Sequence, residues 1–290
     1  MSRFSMPDSS GWFAEICPMT PGRALAFEVT ETLYSNRSAF QQIEVFKTRS
    51  CGTLLALDGI IQCAESDEFC YQEMLANIPA FAHPDPEKIL VIGGGDGGIL
   101  RELARHPGPR EFHLCEIDEE VLSVSRRFFP GMACGFDDPR VCLHIGDGVE
   151  FVRQHPGSYD IIIVDSSDPV GPGEALFSDS FYAELRAALR EGGIICTQAE
   201  SVFIHSGFVA SLMARASRFF ESASYAYIQV PTYPGGGVGA CVCSAGKQVK
   251  VPARLPSPEL QAQLRYYTPQ MHEAAFVLPH FARGLGINSY

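Results

Sequence analysis

Six residues, Gly93-Gly94-Gly95-Asp96-Gly97-Gly98, stand between an apolar run, Ile89-Leu90-Val91-Ile92, and an amphipathic stretch. Glycines in the spacing Gly-x-Gly-x-x-Gly let a strand turn sharply into a helix, and they normally bring backbone amides and the helix N-terminus up to a pyrophosphate. Asp96 sits in the middle of this loop, where phosphate-binding loops carry no charge. A carboxylate there repels a phosphate and attracts a cation.

Three further acids stand at comparable places. Glu116 closes the strand-like run Phe112-His113-Leu114-Cys115, 21 residues after Gly95, where the acid that holds a ribose hydroxyl belongs in a doubly wound sheet. Asp147 lies in Gly146-Asp147-Gly148, after Val141-Cys142-Leu143-His144-Ile145, and Asp165 ends Tyr159-Asp160-Ile161-Ile162-Ile163-Val164. Open parallel sheets bind ligands in the crevice outside the carboxyl ends of their strands, so the four acids are expected to converge on one strongly negative pocket.

The rest of the pattern gives the frame. Up to about residue 65 the chain reads as β, with strand-like runs Leu25 to Val29, Ile43 to Phe46, Thr53 to Leu57 and Ile60 to Cys63, the last two joined by Asp58-Gly59 as a two-residue hairpin turn. Tyr71, Met74, Leu75 and Ile78 recur at helical spacing until Pro79, which is expected to end that helix. From Lys88 onward strands and helices alternate, with a helix near Asp179 to Leu189 expected to stop at Gly192-Gly193. The strands Ala223 to Val230 and Val238 to Ser244 are only seven residues apart, too few for a parallel crossover, so the last strand should run antiparallel. The expected fold is α/β: a Rossmann-like, methyltransferase-type mixed sheet over residues 66–290, with a small antiparallel β domain over residues 1–65.

A chain of 290 residues with 46% hydrophobic composition can bury a large core, and a net charge of -12 argues against nucleic acid or an anionic membrane as partner. No leader-like or membrane-spanning apolar stretch is evident, which suggests a cytoplasmic protein. Ten cysteines occur without a Cys-x-x-Cys, many inside expected strands, and read as reduced, mostly buried thiols with no metal site. The eight histidines are scattered and add nothing, and Trp12 reads as a core residue.

Asp165-Ser166-Ser167-Asp168-Pro169 places two carboxylates three residues apart on a proline-stiffened loop, a hook able to hold and deprotonate an amine. An alkyl ammonium with pKa about 10.4 is neutral about one part in two thousand at pH 7, a handicap of roughly 4.6 kcal/mol. A carboxylate at its reference pKa of about 3.9 is a poor base for it, so Asp165 needs burial to raise its own pKa. Tyr71 and Tyr233 offer hydroxyls and apolar walls, which suit a diamine with charged ends and a greasy middle.

Gly93 to Gly98 with Asp96, Cys115-Glu116-Ile117-Asp118, Gly146-Asp147-Gly148, Asp165 to Pro169, Thr232-Tyr233-Pro234 and Leu57-Asp58-Gly59-Ile60-Ile61-Gln62-Cys63 occur in order. Together they resemble the polyamine aminopropyltransferases, the spermidine synthase family, in its eukaryotic type, from about Gly11 to Pro279. The resemblance implies transfer of an aminopropyl group from decarboxylated S-adenosylmethionine to putrescine, giving spermidine and methylthioadenosine. It implies that Gln41 and Gln72 touch the donor, that Glu116 holds the ribose hydroxyls, that Asp147 with Gly148 reads the adenine, and that Asp96 grips the donor ammonium. It further implies Asp165 as proton acceptor, with Tyr71, Asp168 and Tyr233 holding putrescine, no metal or redox cofactor, and a homodimer. Phe40 departs from the family's usual tyrosine, costing one hydroxyl contact. Rival readings are a diamine methyltransferase, a non-catalytic polyamine-binding paralogue and, opposed by Asp96, a nicotinamide dehydrogenase.

Overall fold

The computed structural model describes residues 11–166, 175–246, 248–283, 285 and 287. Strands β1 (Trp12–Glu15), β2 (Leu25–Arg37), β3 (Gln42–Thr48), β4 (Thr53–Leu57) and β5 (Ile60–Ala64) form an antiparallel sheet in sequential order. Asp58 and Gly59 turn the β4–β5 hairpin with φ of 47° and 78°, the paired positive values that match the twist of the flanking strands. β1 carries no sequence signal strong enough to announce it. Trp12 on this edge strand is 44% exposed, so it is not core.

Helix α1 (Glu68–Ala82) leads into β6 (Lys88–Gly93), α2 (Gly98–Ala104), β7 (Glu111–Glu116), α3 (Glu119–Phe128), the single turn α4 (Pro130–Ala133) and β8 (Val141–Ile145). There follow α5 (Gly148–Arg153), β9 (Tyr159–Asp165), α6 (Asp179–Ala188), β10 (Leu189–Gln198), α7 (Ser206–Phe219), β11 (Ser222–Gln229) and β12 (Gly237–Ser244). The second sheet has the order β11-β12-β10-β9-β6-β7-β8, and β12 runs antiparallel to both its neighbours while the β10-β9-β6-β7-β8 pairs are parallel. The reversed last strand is thus inserted inside the sheet and not appended to its edge.

The period-2 pattern of the central strands explains the layers. Ile161 and Ile163 of β9 face α1 and α2, whereas Ile162 and Val164 face α6 and α7, so the strand is apolar throughout because both faces are covered. Full burial of each such side chain contributes about 1.5–3 kcal/mol. A third cluster joins the first sheet to α3 and the turn after it, with Ile43, Val45 and Leu55 packed on Val121, Val124 and Phe129. Asp118 starts α3 by accepting from Glu120 N at 3.1 Å, with Glu119 and Glu120 in the first turn and Arg126 and Arg127 in the last, the charge order the helix dipole favours.

Two boundaries differ from the sequence expectation. Pro79 does not end α1, which runs on to Ala82 because His83 N donates to Pro79 O at 3.0 Å and the Arg254 guanidinium donates to Ala80 O and His83 O, capping the terminal carbonyls. Gly192 and Gly193 do not stop α6; the helix ends at Ala188, and the glycines lie in an irregularity of β10 between Leu189 and Ile194, where Gly192 has φ 71°.

Candidate active site

The carboxyl ends of β6, β7, β8 and β9, together with the segment after β10, open onto one cavity of about 220 Å³. Asp96, Glu116, Asp147, Asp165, Glu15 and Glu200 all line it, and no Lys or Arg does so among the described residues. The glycine loop makes this convergence possible. Gly93 and Asp165 are register partners in β6 and β9, Gly94 N donates to Asp165 O at 3.1 Å, and Gly93, Gly94 and Gly97 hold φ of 74°, 68° and 82°. A Cβ on Gly95 would lie 2.8 Å from Glu116 Oε2, so side chains in this loop would drive the acids apart.

Asp96 accepts from Gly98 N and from Gln72 Nε2, each at 2.7 Å. Asp165 accepts from Tyr71 Oη at 2.5 Å. Both carboxylates touch the cavity yet are enclosed by protein, and burial raises both pKa values; the proximity of Asp96 raises that of Asp165 further, while the Tyr71 hydroxyl opposes the rise. Burial likewise pushes Glu116 up to about 7, against the backbone amides of Asp118, Ile117 and Gly95 that favour its charge. Burial thus disfavours the charged forms of Asp96, Glu116 and Asp165, and a cation placed beside them would favour those forms again.

Glu116 and Asp147 line this cavity, Gln72 lies buried behind it on Asp96, and Gln41 lines it with its Nε2 on Asp118 Oδ2 at 3.0 Å, tying the first sheet to α3. Asp147 also caps α5, accepting from Val149 N at 2.7 Å, and a Cβ on Gly148 would lie 2.4 Å from Ile92. Phe40 is part of the lining. Tyr71 and Tyr233 face each other with ring centroids 5.9 Å apart, and Tyr233 Oη donates to Gln62 O. Asp168 lies outside the described residues.

A second acidic group had escaped the sequence reading. Glu15 is buried and accepts from Ile61 N at 2.9 Å, and its pKa is raised by burial and by Glu200. Glu200 Oε2 lies 2.9 Å from His205 Nδ1, so the histidines are not all inert. Glu200 Oε1, Gln198 Oε1 and Ser201 Oγ are buried with no hydrogen-bond partner among the described residues. Buried acceptors left open in a cavity wall are complementary to a ligand rich in N–H donors. Glu200 had a readable signal, since it follows the carboxyl end of β10; Glu15, on the unannounced β1, had none.

All ten cysteines are free thiols, eight of them buried. Outside the cavity, Glu111, His113 and Cys142 offer atoms within 4.8 Å of one another, but Glu111 already pairs with Lys88 Nζ at 2.9 Å and with His113. Among the described residues, no helix is long and apolar enough to cross a membrane.

Residues 68–252 match the family model of the spermine/spermidine synthase domain, and residues 11–65 match that of the spermidine synthase tetramerisation domain. Spermidine synthase from Dictyostelium discoideum is 48% identical over 273 residues, spanning 94% of this chain and 96% of its own length. The Coffea arabica spermidine synthase is 46% identical, over 94% of this chain and 90% of its own length. A crystal structure of spermidine synthase in complex with the transition-state analogue AdoDATO superposes with a TM-score of 0.90 at 35% identity, covering 98% of both chains.

Proposed function

The chain belongs to the spermine/spermidine synthase family and is an aminopropyltransferase of the spermidine synthase kind; we propose that it moves the aminopropyl group of decarboxylated S-adenosylmethionine to putrescine. One observation carries the choice of substrates. Asp96 and Asp165 share a cavity whose described lining holds six acids and no Lys or Arg, so it suits two cationic reactants together. Glu116 holds the ribose hydroxyls, Asp147 and Gly148 meet the adenine, and Gln41 and Gln72 flank the donor. Asp96 takes the donor ammonium and disfavours ordinary S-adenosylmethionine, which carries a carboxylate beside it.

Putrescine lies between Tyr71 and Tyr233 with its far ammonium toward Glu15 and Glu200, and Asp168 helps hold the reacting end. Asp165 accepts the proton that the attacking amine sheds. Its raised pKa narrows the gap to the amine, and Tyr71 orients it. The sulfonium is already a good leaving group, so the protein must align the nitrogen behind the reacting methylene, exclude water and take the proton. That chemistry calls for no metal or redox cofactor.

The match of residues 11–65 to a tetramerisation domain gives the chain an oligomerisation module, and we take the homodimer as its unit, in the cytoplasm. Incubation with decarboxylated S-adenosylmethionine and putrescine, with Asp165→Asn as control, tests the reaction. Spermidine and methylthioadenosine in equal amounts support it; a methylated diamine formed from ordinary S-adenosylmethionine, or no turnover, overturns it.

A further inference from the structure

Asp67 precedes α1 at its N-cap position, yet its carboxylate makes no capping bond to its own helix. Both oxygens are spent on a residue 165 positions away: Oδ2 accepts from Thr232 N at 2.7 Å and Oδ1 from Thr232 Oγ1 at 2.9 Å, with a longer contact of 3.4 Å from Ser66 Oγ. Asp67 and Thr232 are both buried, and neither lines the cavity.

The two segments so joined carry the two tyrosines. Tyr71 stands one turn into α1, and Tyr233 follows Thr232 directly in the loop between β11 and β12. Tyr233 is also held by its hydroxyl on Gln62 O, by its backbone N on Val230 O and by its carbonyl, which accepts from Gly236 N. Asp67 therefore ties the start of α1 to Thr232, the residue just before Tyr233, and the two tyrosine rings lie 5.9 Å apart.

We propose that Asp67 is a positioning residue for the acceptor: by clamping Thr232 it sets the gap between Tyr71 and Tyr233 in which the methylene chain of the diamine lies. The proposal rests on the acceptor placement given above. A buried carboxylate that gives up its own helix cap to hold a loop spends a hydrogen-bonding opportunity, and a fixed slot at the reacting site is what that expenditure secures. On the donor side, Glu116, Asp147 and Gln41 are held by β7, α5 and Asp118, and Gln72, although on α1, is held to Asp96 by its own hydrogen bond, so none of these contacts passes through Thr232.

Asp67→Ala leaves the Thr232 N–H buried without its partner, and the loop relaxes to find another. The expected result is a rise of about tenfold in KM for putrescine with the KM for decarboxylated S-adenosylmethionine within about twofold of wild type. Asp67→Asn restores most of the loss, because its amide oxygen can accept from Thr232 N while its amide N–H donates to Thr232 Oγ1. Should Asp67→Ala fail to fold, Thr232→Val removes only the hydroxyl bond and should raise the acceptor KM about threefold by the same argument. An unchanged acceptor KM in the variant that folds, or equal factors on both KM values, overturns the proposal. Crystal structures of the wild type and the variant separate this from any failure of the substrate assignment: Tyr233 should move away from Tyr71, and an unmoved ring refutes the clamp whatever the cavity binds.

Discussion

Gly93 and Asp165 lie side by side as register partners of adjacent parallel strands, so close that a Cβ on Gly93 would sit 2.0 Å from the Asp165 carbonyl oxygen. The strand pairing that builds the sheet also delivers Asp165, the proposed base, to the glycine loop that carries Asp96. Gly93→Ala should therefore damage fold and site together, since it adds a clash with backbone to an unfavourable φ of 74°. Loss of about 2–4 kcal/mol in urea unfolding is expected, with activity lost in proportion to the displacement of Asp165. A variant as stable and active as wild type would mean the strands can part freely.

The first sheet's hairpin, the glycine loop and four of the strand-end acids are legible in the sequence because each depends on local chemistry: Asp58-Gly59 on positive φ, Asp96 on its place inside a loop, Glu116 and Asp165 on the ends of apolar runs. What escapes depends on partners far along the chain. Pro79 survives inside α1 because Arg254 and the surrounding core hold the helix end, and Gly192-Gly193 fall in a strand because Leu189 finds Tyr159. Glu15 becomes part of the site only once Ile61 and Glu200 are brought to it, and no spacing rule could have found it.

Burial raises the pKa of Asp165, so the acid limb of kcat/KM should lie well above the ordinary Asp range. Asp165→Asn should lower kcat by about 10²–10⁴ and flatten that limb. A limb near pH 4, or full activity in the variant, would assign the proton to another group.

Stability should move with pH in the opposite sense to the usual carboxylate. Glu116 is raised to about 7, and Asp96, Asp165 and Glu15 are raised as well, so each binds protons more tightly folded than unfolded. Their contribution is complete below the unfolded value of about 4 and is lost as pH rises through the folded pKa. Asp165→Asn should consequently be more heat-stable than wild type at about pH 8, with the advantage shrinking toward about pH 5. Parallel Tm curves for the two proteins would show that burial of Asp165 carries no such pH dependence.

Among the described residues, Glu200 Oε1 is buried in the cavity wall with no hydrogen-bond partner. Glu200→Gln should raise the putrescine KM by about five- to fiftyfold and leave the donor KM near wild type, because in the proposed placement Glu200 faces the far ammonium. The reverse split would move the acceptor elsewhere.

The account turns on acids that select cations, and Asp96 is where that selection is sharpest. Calorimetric titration of wild type and Asp96→Asn with decarboxylated and with ordinary S-adenosylmethionine tests it directly. Wild type should bind the decarboxylated form at least about tenfold more tightly, from repulsion between two carboxylates at close range, and Asp96→Asn should lose most of that preference. Equal or tighter binding of ordinary S-adenosylmethionine by the wild type, or an undiminished preference in the variant, would contradict the account.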